Sequence, residues 1–485
     1  MPTVDAKHPE YTEALINWRL LRDVEVGANA VQDASIHYLP MPEGFTVAKN
    51  PALMYGGYKA RARFPEIFSP TITGMVGLIH RREVTVEGLE VPGLEHLWEK
   101  CSADGETLEE FHQHISAELL TMGRYAILVD APADGGDPYL AGYKAEQLIN
   151  WRAQPVRDLF VLDESGLRQD EDFVWRNRDQ WRVLRLVNGT YTQEVHVDTT
   201  PIQSSNMLLI ESNAHQVNTL SPVTRTQRPF VEIPFVVAGP RSLTLRVEKP
   251  PLIGIANSAI SIYQLDADYR HQLYMTGQET LFLSGITDSK ELPQVVGAGA
   301  IHGIPMGAVP QYVGASGRGM EQHAKAIDAE MRKAERIAAA MFEDEGGKSH
   351  ESGSARALRY AARTASMVTV AFASAKALER ALRYAALMQG VDDTTIIVKP
   401  DLEFLKTAMT AGDVKSLVDS WLAGAFTYET LYDNLLRGGV ASPERNAEEE
   451  LAASIKEEAE RAKRDVEKQV SLTKALPAPK ALSPA

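Results

Sequence analysis

Between Glu248 and Gly353 two strongly helical segments flank an insert of glycines and short apolar runs, and few folds accommodate that order. The first segment opens at Lys249-Pro250-Pro251 and runs to Thr276, with Gly277 just past its end. Proline suits a first helical turn because the amide it lacks has no partner there, and glycine tolerates a left-handed exit. The second segment, Met320 to Phe342, spaces Ala324, Ile327, Met331, Ala334, Ala338 and Met341 three or four apart, on one helical face. Its other faces carry Glu321, Lys325, Asp328, Arg332, Lys333, Glu335 and Arg336. At 1.5 Å per residue each helix spans roughly 35 to 40 Å. The insert reads as short strands and turns, at Thr280-Leu-Phe-Leu283, Gln294-Val-Val296 and Ala308-Val-Pro-Gln-Tyr-Val313. Such a hairpin with a small β tip is a projecting device and not a catalytic pocket.

The chain has 485 residues, which predicts two to four domains, and its 44% apolar content is enough for a sizeable core. A net charge of -15 argues against an outer surface that seeks nucleic acid or anionic membrane, while leaving local basic rings open. Cys101 is the only cysteine, so no intramolecular disulfide forms and a reducing compartment is expected. The start, Met1-Pro-Thr-Val-Asp-Ala-Lys7, has no apolar core of signal-peptide type, and no apolar run approaches roughly eighteen residues. The expectation is a soluble protein made in a cytoplasm, with no membrane insertion.

Along the chain, Pro9 to Val31 predicts one amphipathic helix with Tyr11, Leu15, Trp18 and Leu21 on one side. Ser69-Pro70-Thr71 predicts a cap and first turn for the helix that follows, where Gly74 and Gly77 suggest close packing against a neighbour. Thr107 to Gly123 predicts a helix with Leu108, Phe111, Ile115, Leu119 and Met122 on one face, followed by a buried strand, Tyr125 to Asp130. From Leu159 to Val237 the pattern is β-rich, with Asn188-Gly189 as a hairpin turn. Met207-Leu-Leu-Ile210 predicts one more strand. Asp344 to Gly353 predicts a polar loop, Ser354 to Gln389 a very long helix closed by Gly390, and Ile396-Ile-Val-Lys399 a strand. Helices are predicted at 402–408, 411–423, 428–437 and 446–468, then a tail rich in Pro, Ala, Lys and Ser.

Catalytic signatures are missing. Gly346-Gly-Lys-Ser349 lacks the leading glycine and preceding strand of a phosphate loop, and Gly297-Ala-Gly-Ala-Ile-His-Gly303 is followed by Pro305 where a helix should begin. His112 and His114 lie about 200° apart on a helix, the wrong geometry for a shared metal. Ser352-Gly-Ser354 lacks the frame of a nucleophile elbow. No catalytic residue, cofactor or metal is predicted.

Several phrases stand out: Glu118-Leu-Leu-Thr-Met-Gly-Arg-Tyr-Ala-Ile-Leu-Val-Asp130, Tyr143-Lys-Ala-Glu-Gln-Leu-Ile-Asn-Trp-Arg152, Glu248-Lys-Pro-Pro-Leu252, Trp421-Leu-Ala-Gly-Ala-Phe-Thr-Tyr-Glu-Thr-Leu431 and Arg437-Gly-Gly-Val440. With the order of parts from Tyr38 to Glu450, they resemble tailed-bacteriophage portal proteins, in particular portal-like phage proteins once known only as a family of unknown function. None of these phrases is a catalytic motif. The resemblance implies an α+β portal fold. Its parts would be an N-terminal helical arm (1–35), an α/β wing (36–248), stem helices (249–278 and 318–343), a β clip (279–317), a tunnel loop (344–353), a long wing helix (354–395), a helical crown (396–468) and a disordered tail (469–485).

It also implies a homo-oligomeric ring, typically of twelve subunits, at one capsid vertex of the virion after synthesis in a bacterial host. Double-stranded DNA would pass through its channel during packaging and ejection. Implied partners are the terminase large subunit, a head-completion or adaptor protein, the major capsid protein and a scaffolding protein. Carried onto this sequence, Lys325, Arg332 and Arg336 would line the channel, and Gly346, Gly347, Lys348, Ser349 and His350 would form the loop toward DNA. Glu279, Asp288, Lys290, Glu291 and Gln311 would form the docking surface of the clip. Ile255, Ile262, Leu265 and Tyr269 would flank neighbouring stems, with Ala256 and Ala259 permitting close approach. The alternatives are another virion head–tail connector or scaffold-type structural protein and, from a different class, a hydrolase using the Asp134–Asp137 turn or the His112/His114 pair.

Overall fold

A computed structural model describes residues 4–132, 136–152, 157–169, 173–198, 215–276, 280–284, 309–313, 319–342, 353–391, 393–400, 411–437, 440–441 and 446–474. The chain divides into two compact units, Met1–Leu402 and Glu403–Ala485.

The first unit begins with α1 (Pro9–Val26) and α2 (Ala28–Asp33), two helices where the sequence predicts one. The break is at Gly27, whose φ of +99° is left-handed backbone, and the Glu66 carboxylate accepts the freed Ala28 amide at 2.9 Å. Three short helices follow: α3 (Glu43–Thr46), α4 (Pro51–Arg61) and α5 (Phe68–Ile79). Because α5 starts at Phe68, Ser69 lies inside it and caps nothing. Gly74 and Gly77 are exposed, and open space surrounds the position a Cβ would take on Gly77, so no described part of this chain packs closely on that face.

After β1 (Thr85–Glu87) comes α6 (Leu108–Thr121). Thr107 accepts the Glu110 amide at 3.3 Å while Glu110 accepts the Thr107 amide at 2.9 Å, a reciprocal cap worth about 1 kcal/mol. The predicted face of α6 is buried, and Gly123 ends it at φ +70°. Ten strands follow: β2 (Tyr125–Asp130), β3 (Tyr139–Lys144), β4 (Leu148–Arg152), β5 (Leu159–Asp163), β6 (Gly166–Gln169), β7 (Trp175–Arg178), β8 (Gln180–Val187), β9 (Thr190–Asp198), β10 (His215–Leu220) and β11 (Phe235–Ala238). They form a three-stranded sheet in the order β11-β2-β3, a five-stranded sheet in the order β10-β9-β8-β5-β4, and a separate β6–β7 ribbon. All of these pairings are antiparallel. Asn188 and Gly189 join β8 to β9 at φ +51° and +78°, the doubly left-handed turn that matches strand twist. The predicted strand 207–210 lies outside the described residues.

Two long helices follow, α7 (Ile253–Thr276) and α8 (Met320–Phe342), with β12 (Thr280–Ser284) and β13 (Val309–Val313) between them. α7 starts later than predicted, since Pro250 and Pro251 form a turn ahead of it. Then come α9 (Gly353–Gln389) and β14 (Ile397–Lys399). Met367, Val370, Leu378, Leu382 and the alanines among them seat α9 in the core between α6 and the sheets. Gly390, at φ +75°, ends it. β14 pairs with β1, Thr85 opposite Lys399, so this strand belongs with the first unit and does not open the helical segment expected from 396 onward.

The second unit contains α10 (Ala411–Leu422), α11 (Tyr428–Arg437) and α12 (Ala447–Lys474). Trp421 meets Tyr428 edge-on at 5.6 Å, and Leu431 and Tyr432 are buried. α12 continues through 469–474, which the sequence assigns to a disordered tail. Residues 402–408 lie outside the described set. The chain is therefore a mixed helix-and-sheet, α+β protein.

Candidate functional site: a helical hairpin clasped at its base

α7 and α8 run antiparallel in close contact. A Cβ on Gly254 would lie 3.3 Å from Ile337 Cδ1, and Ser258 donates to Glu330 at 3.2 Å. At the other end Thr276 reaches Met320 Sδ at 3.9 Å. β12 and β13 close the tip as a two-stranded ladder from Thr280 opposite Val313 to Ser284 opposite Val309. Pro310 is tolerated in it because both strands are edges.

The base of α7 is gripped from several sides. Ile253, Ile255, Ala256, Ala259, Ile262 and Tyr263 are buried against α1, α4, α5 and α8. Tyr58 donates to Asp268 at 2.6 Å, the Arg63 amide to Asp266 at 2.7 Å, and Gln264 to the Tyr38 carbonyl at 2.7 Å. Burial and the Asp268 acceptor push the Tyr58 hydroxyl well above its ordinary pKa, so it stays a donor. Farther out only Arg61 of α4 reaches α7 among the described residues, over the Tyr274 ring at 4.2 Å, and Leu273, Tyr274 and Met275 are exposed. Ile255, Ile262, Ala256 and Ala259, expected to face neighbouring stems, are instead core residues of their own chain. Leu265 and Tyr269 are half-buried.

α8 follows its sequence pattern. Ala334 is buried, Ala324, Ile327, Met331 and Ala338 are half-buried, and Lys325, Arg332 and Arg336 are exposed. These three basic residues sit seven and four positions apart, on one face of the helix. Lys325 pairs with Glu321 at 2.6 Å, Arg332 donates to the Asp328 carbonyl at 3.1 Å, and Lys333 pairs with Glu330 at 3.1 Å. The four acids of α8 (Glu321, Asp328, Glu330, Glu335) balance its four bases (Lys325, Arg332, Lys333, Arg336). Its surface is charged but neutral on average. Gly346, Gly347, Lys348, Ser349 and His350 lie outside the described residues, as do Glu279, Asp288, Lys290 and Glu291. Gln311 is on β13, opposite Phe282.

The residues weighed for chemistry are not brought together. His112 is buried with Nε2 3.1 Å from Ser374 Oγ, whereas the exposed His114 is 2.7 Å from Glu106. Among the described residues no group of three His, Cys, Asp or Glu side chains could hold a metal ion. Asp137 accepts from Gln389 at 3.0 Å, a structural contact with the end of α9.

Sequence reasoning missed three polar centres. Arg22 bridges Glu118 and Glu146 at 3.0 and 2.9 Å and ties α1 to α6. Arg182 pairs with Glu164 at 2.7 Å and Asp130 at 3.1 Å. Arg124 is buried over the Trp151 ring at 4.1 Å, its three guanidinium nitrogens without a hydrogen-bond partner among the described residues. Burial pushes its pKa down to about 10. An arginine leading the apolar run 125–129 was the one visible signal.

The family described as a domain of unknown function (DUF4055) matches residues 251–388, the span from the start of α7 almost to the end of α9. A search of curated proteins finds no match. Similar solved structures include one described as the neck of an empty GTA particle computed with C6 symmetry, at TM-score 0.40 and 11% identity, covering 84% of this chain and 99% of that one. Another is the virion of a native gene transfer agent particle, at TM-score 0.37 and 12% identity over 85% and 99% of the two chains. The neck of a native GTA particle computed with C12 symmetry gives TM-score 0.36 and 11% identity over the same shares. The functional reading therefore rests on the chain's own sequence and geometry. Among the described residues no helix is long and apolar enough to cross a membrane.

Proposed function

We propose that this chain is a subunit of a phage-type portal ring, a structural conduit for double-stranded DNA at one vertex of a virion. The observation that carries the reading is the α7–α8 hairpin, gripped at its base by α1, α4 and α5 and closed at its tip by β12–β13. A rigid projection on a broad α+β body suits a tube assembled from many copies, with the projections side by side and the tips free to bind partners. The tip would receive the packaging motor and later the neck proteins. The neutral face of α8 suits a conduit, because duplex affinity climbs steeply with each phosphate neutralised and a tight site would stall the passing DNA. The long α9 helix ties hairpin to body, reaching from α8 to α6 and to the adjacent strands β2 and β11 of the small sheet.

The deciding experiment is particle mass with negative-stain electron microscopy on the purified protein. Twelve copies of a 53.4 kDa chain would give a particle of about 0.64 MDa in closed cyclic symmetry with a central hole. A compact dimer or tetramer without a channel would overturn the reading.

A further inference from the structure

The residues ahead of α1 are tied to the body around one histidine, and that histidine has to be neutral. They run beside β4, an edge strand of the five-stranded sheet. The His8 amide donates to the Ile149 carbonyl at 2.9 Å, and the Asn150 side chain donates to the Ala6 carbonyl at 2.8 Å. These bonds occupy part of an edge that would otherwise offer unpaired backbone groups. The His8 ring lies on Trp151, with ring centres 4.0 Å apart and planes 20° from parallel. Its Nδ1 accepts the Glu10 amide at 3.2 Å and so caps α1. Glu10 in turn accepts the Val247 amide at 3.0 Å, in the segment leading to α7. Sheet edge, start of α1 and approach to the hairpin are thus joined through a few bonds.

Two features make this arrangement intolerant of a second proton on His8. A ring nitrogen that accepts a hydrogen bond carries no proton, and a protonated Nδ1 would meet the Glu10 N–H donor to donor, so the cap would be lost. The other feature is Arg124. Its guanidinium lies 4.1 Å from the same Trp151 ring, buried and without a hydrogen-bond partner among the described residues. A charged His8 would set a second cation against a ring that already holds one. Of the other charges nearby, Arg152 on β4 is committed to Asp158 at 2.6 Å, and the Lys7 ammonium lies 5.9 Å from the Tyr11 ring. Burial, opposed by Glu10 and reinforced by Arg124, holds the His8 imidazole below its ordinary pKa. Above about pH 6.5 bound and released forms are both neutral and the attachment is complete; as pH falls the released form takes up the proton more readily, and the attachment weakens.

We propose that residues 5–10 form an acid-released strap. With His8 neutral they close the edge of β4 and hold the approach to α7, and with His8 protonated they let both go. One copy of the chain suffices for this device, so it stands or falls apart from the ring.

Hydrogen exchange of the full chain, corrected for intrinsic rates and read on peptides carrying the His8, Glu10 and Val247 amides, tests the strap. Between about pH 7.5 and about pH 5 these amides should lose protection several-fold together, while peptides of α6 and β2 in the same samples stay protected. His8→Asn keeps a capping acceptor and cannot take a charge, so its strap should be equally protected at both pH values. A flat wild-type profile would overturn the strap, and so would a His8→Asn profile that falls in parallel with wild type. Should His8→Asn be unprotected throughout, the wild-type titration decides. A one-proton fall, at most about tenfold per pH unit and starting below about pH 6.5, upholds the proposal, and a steeper or earlier fall rejects it.

Discussion

At the scale of single residues, the sharpest features are polar groups placed where water cannot reach. His112 on α6 meets His80 at the end of α5, their ring centres 4.6 Å apart, and each is hydrogen-bonded to a serine. Burial pushes His112 down to about 3 and His80 down to about 4. The unfolded chain takes up these protons below about pH 6.5, and the folded chain refuses them until far lower pH. Stability is therefore complete above that value and declines as pH falls toward 4, by up to about 1.4 kcal/mol per pH unit for each histidine. The unfolding temperature of His112→Asn should change less between pH 6.5 and 4 than that of wild type; parallel profiles would show that His112 does not carry the effect. Gly142 is constrained by packing instead. A Cβ there would overlap the hydroxyl of buried Tyr125 on the neighbouring strand, so Gly142→Ala should destabilise by about 1–3 kcal/mol in denaturant unfolding. Neither site is legible in sequence. His112 stands out in sequence only beside His114, which points to the wrong partner, and Gly142 is one glycine among 34.

At the scale of elements, legibility depended on how many sides of each element are covered. α6 and α8 each bury one stripe, so their periodicity gave both the helix and its inward face. α7 is touched by α1, α4, α5 and α8, so its apolar residues wrap around it and its exposed flank could not be located. The expectation that Ile255 and Ile262 serve neighbours failed for this reason. The junction of α6 with α7 is equally tertiary. Gly123 ends α6 in a left-handed conformation, and a Cβ there would come within 3.1 Å of Pro250 Cα in the turn leading to α7. Gly123→Ala should cost more than the roughly 1 kcal/mol of backbone strain alone, because the clash is with main chain. A drop of several degrees in the unfolding midpoint is expected, and a neutral effect would mean that the turn yields.

At the scale of the whole molecule, charge is arranged in balanced local sets. Net charge is -15, yet α8 is neutral. If α8 faces passing DNA, Lys325→Ala with Arg332→Ala and Arg336→Ala should leave particle mass unchanged and weaken duplex binding. The salt dependence of that binding should become shallower by at most about three phosphate equivalents. An unchanged salt slope would place these residues away from DNA.

The sequence by itself determined the helical hairpin and its β tip, the capped α6, the Asn188-Gly189 turn and the absence of a recognisable catalytic pattern. Each of these is written in neighbours a few positions apart, through periodicity, capping or turn chemistry. Only the tertiary structure decided that α7 is a core helix, that β14 returns to β1, that Arg22 and Arg182 hold half-buried ion-pair centres and that Arg124 is buried over Trp151. Those relations join residues tens to hundreds of positions apart. Their energies come from burial and pairing partners that no local pattern encodes.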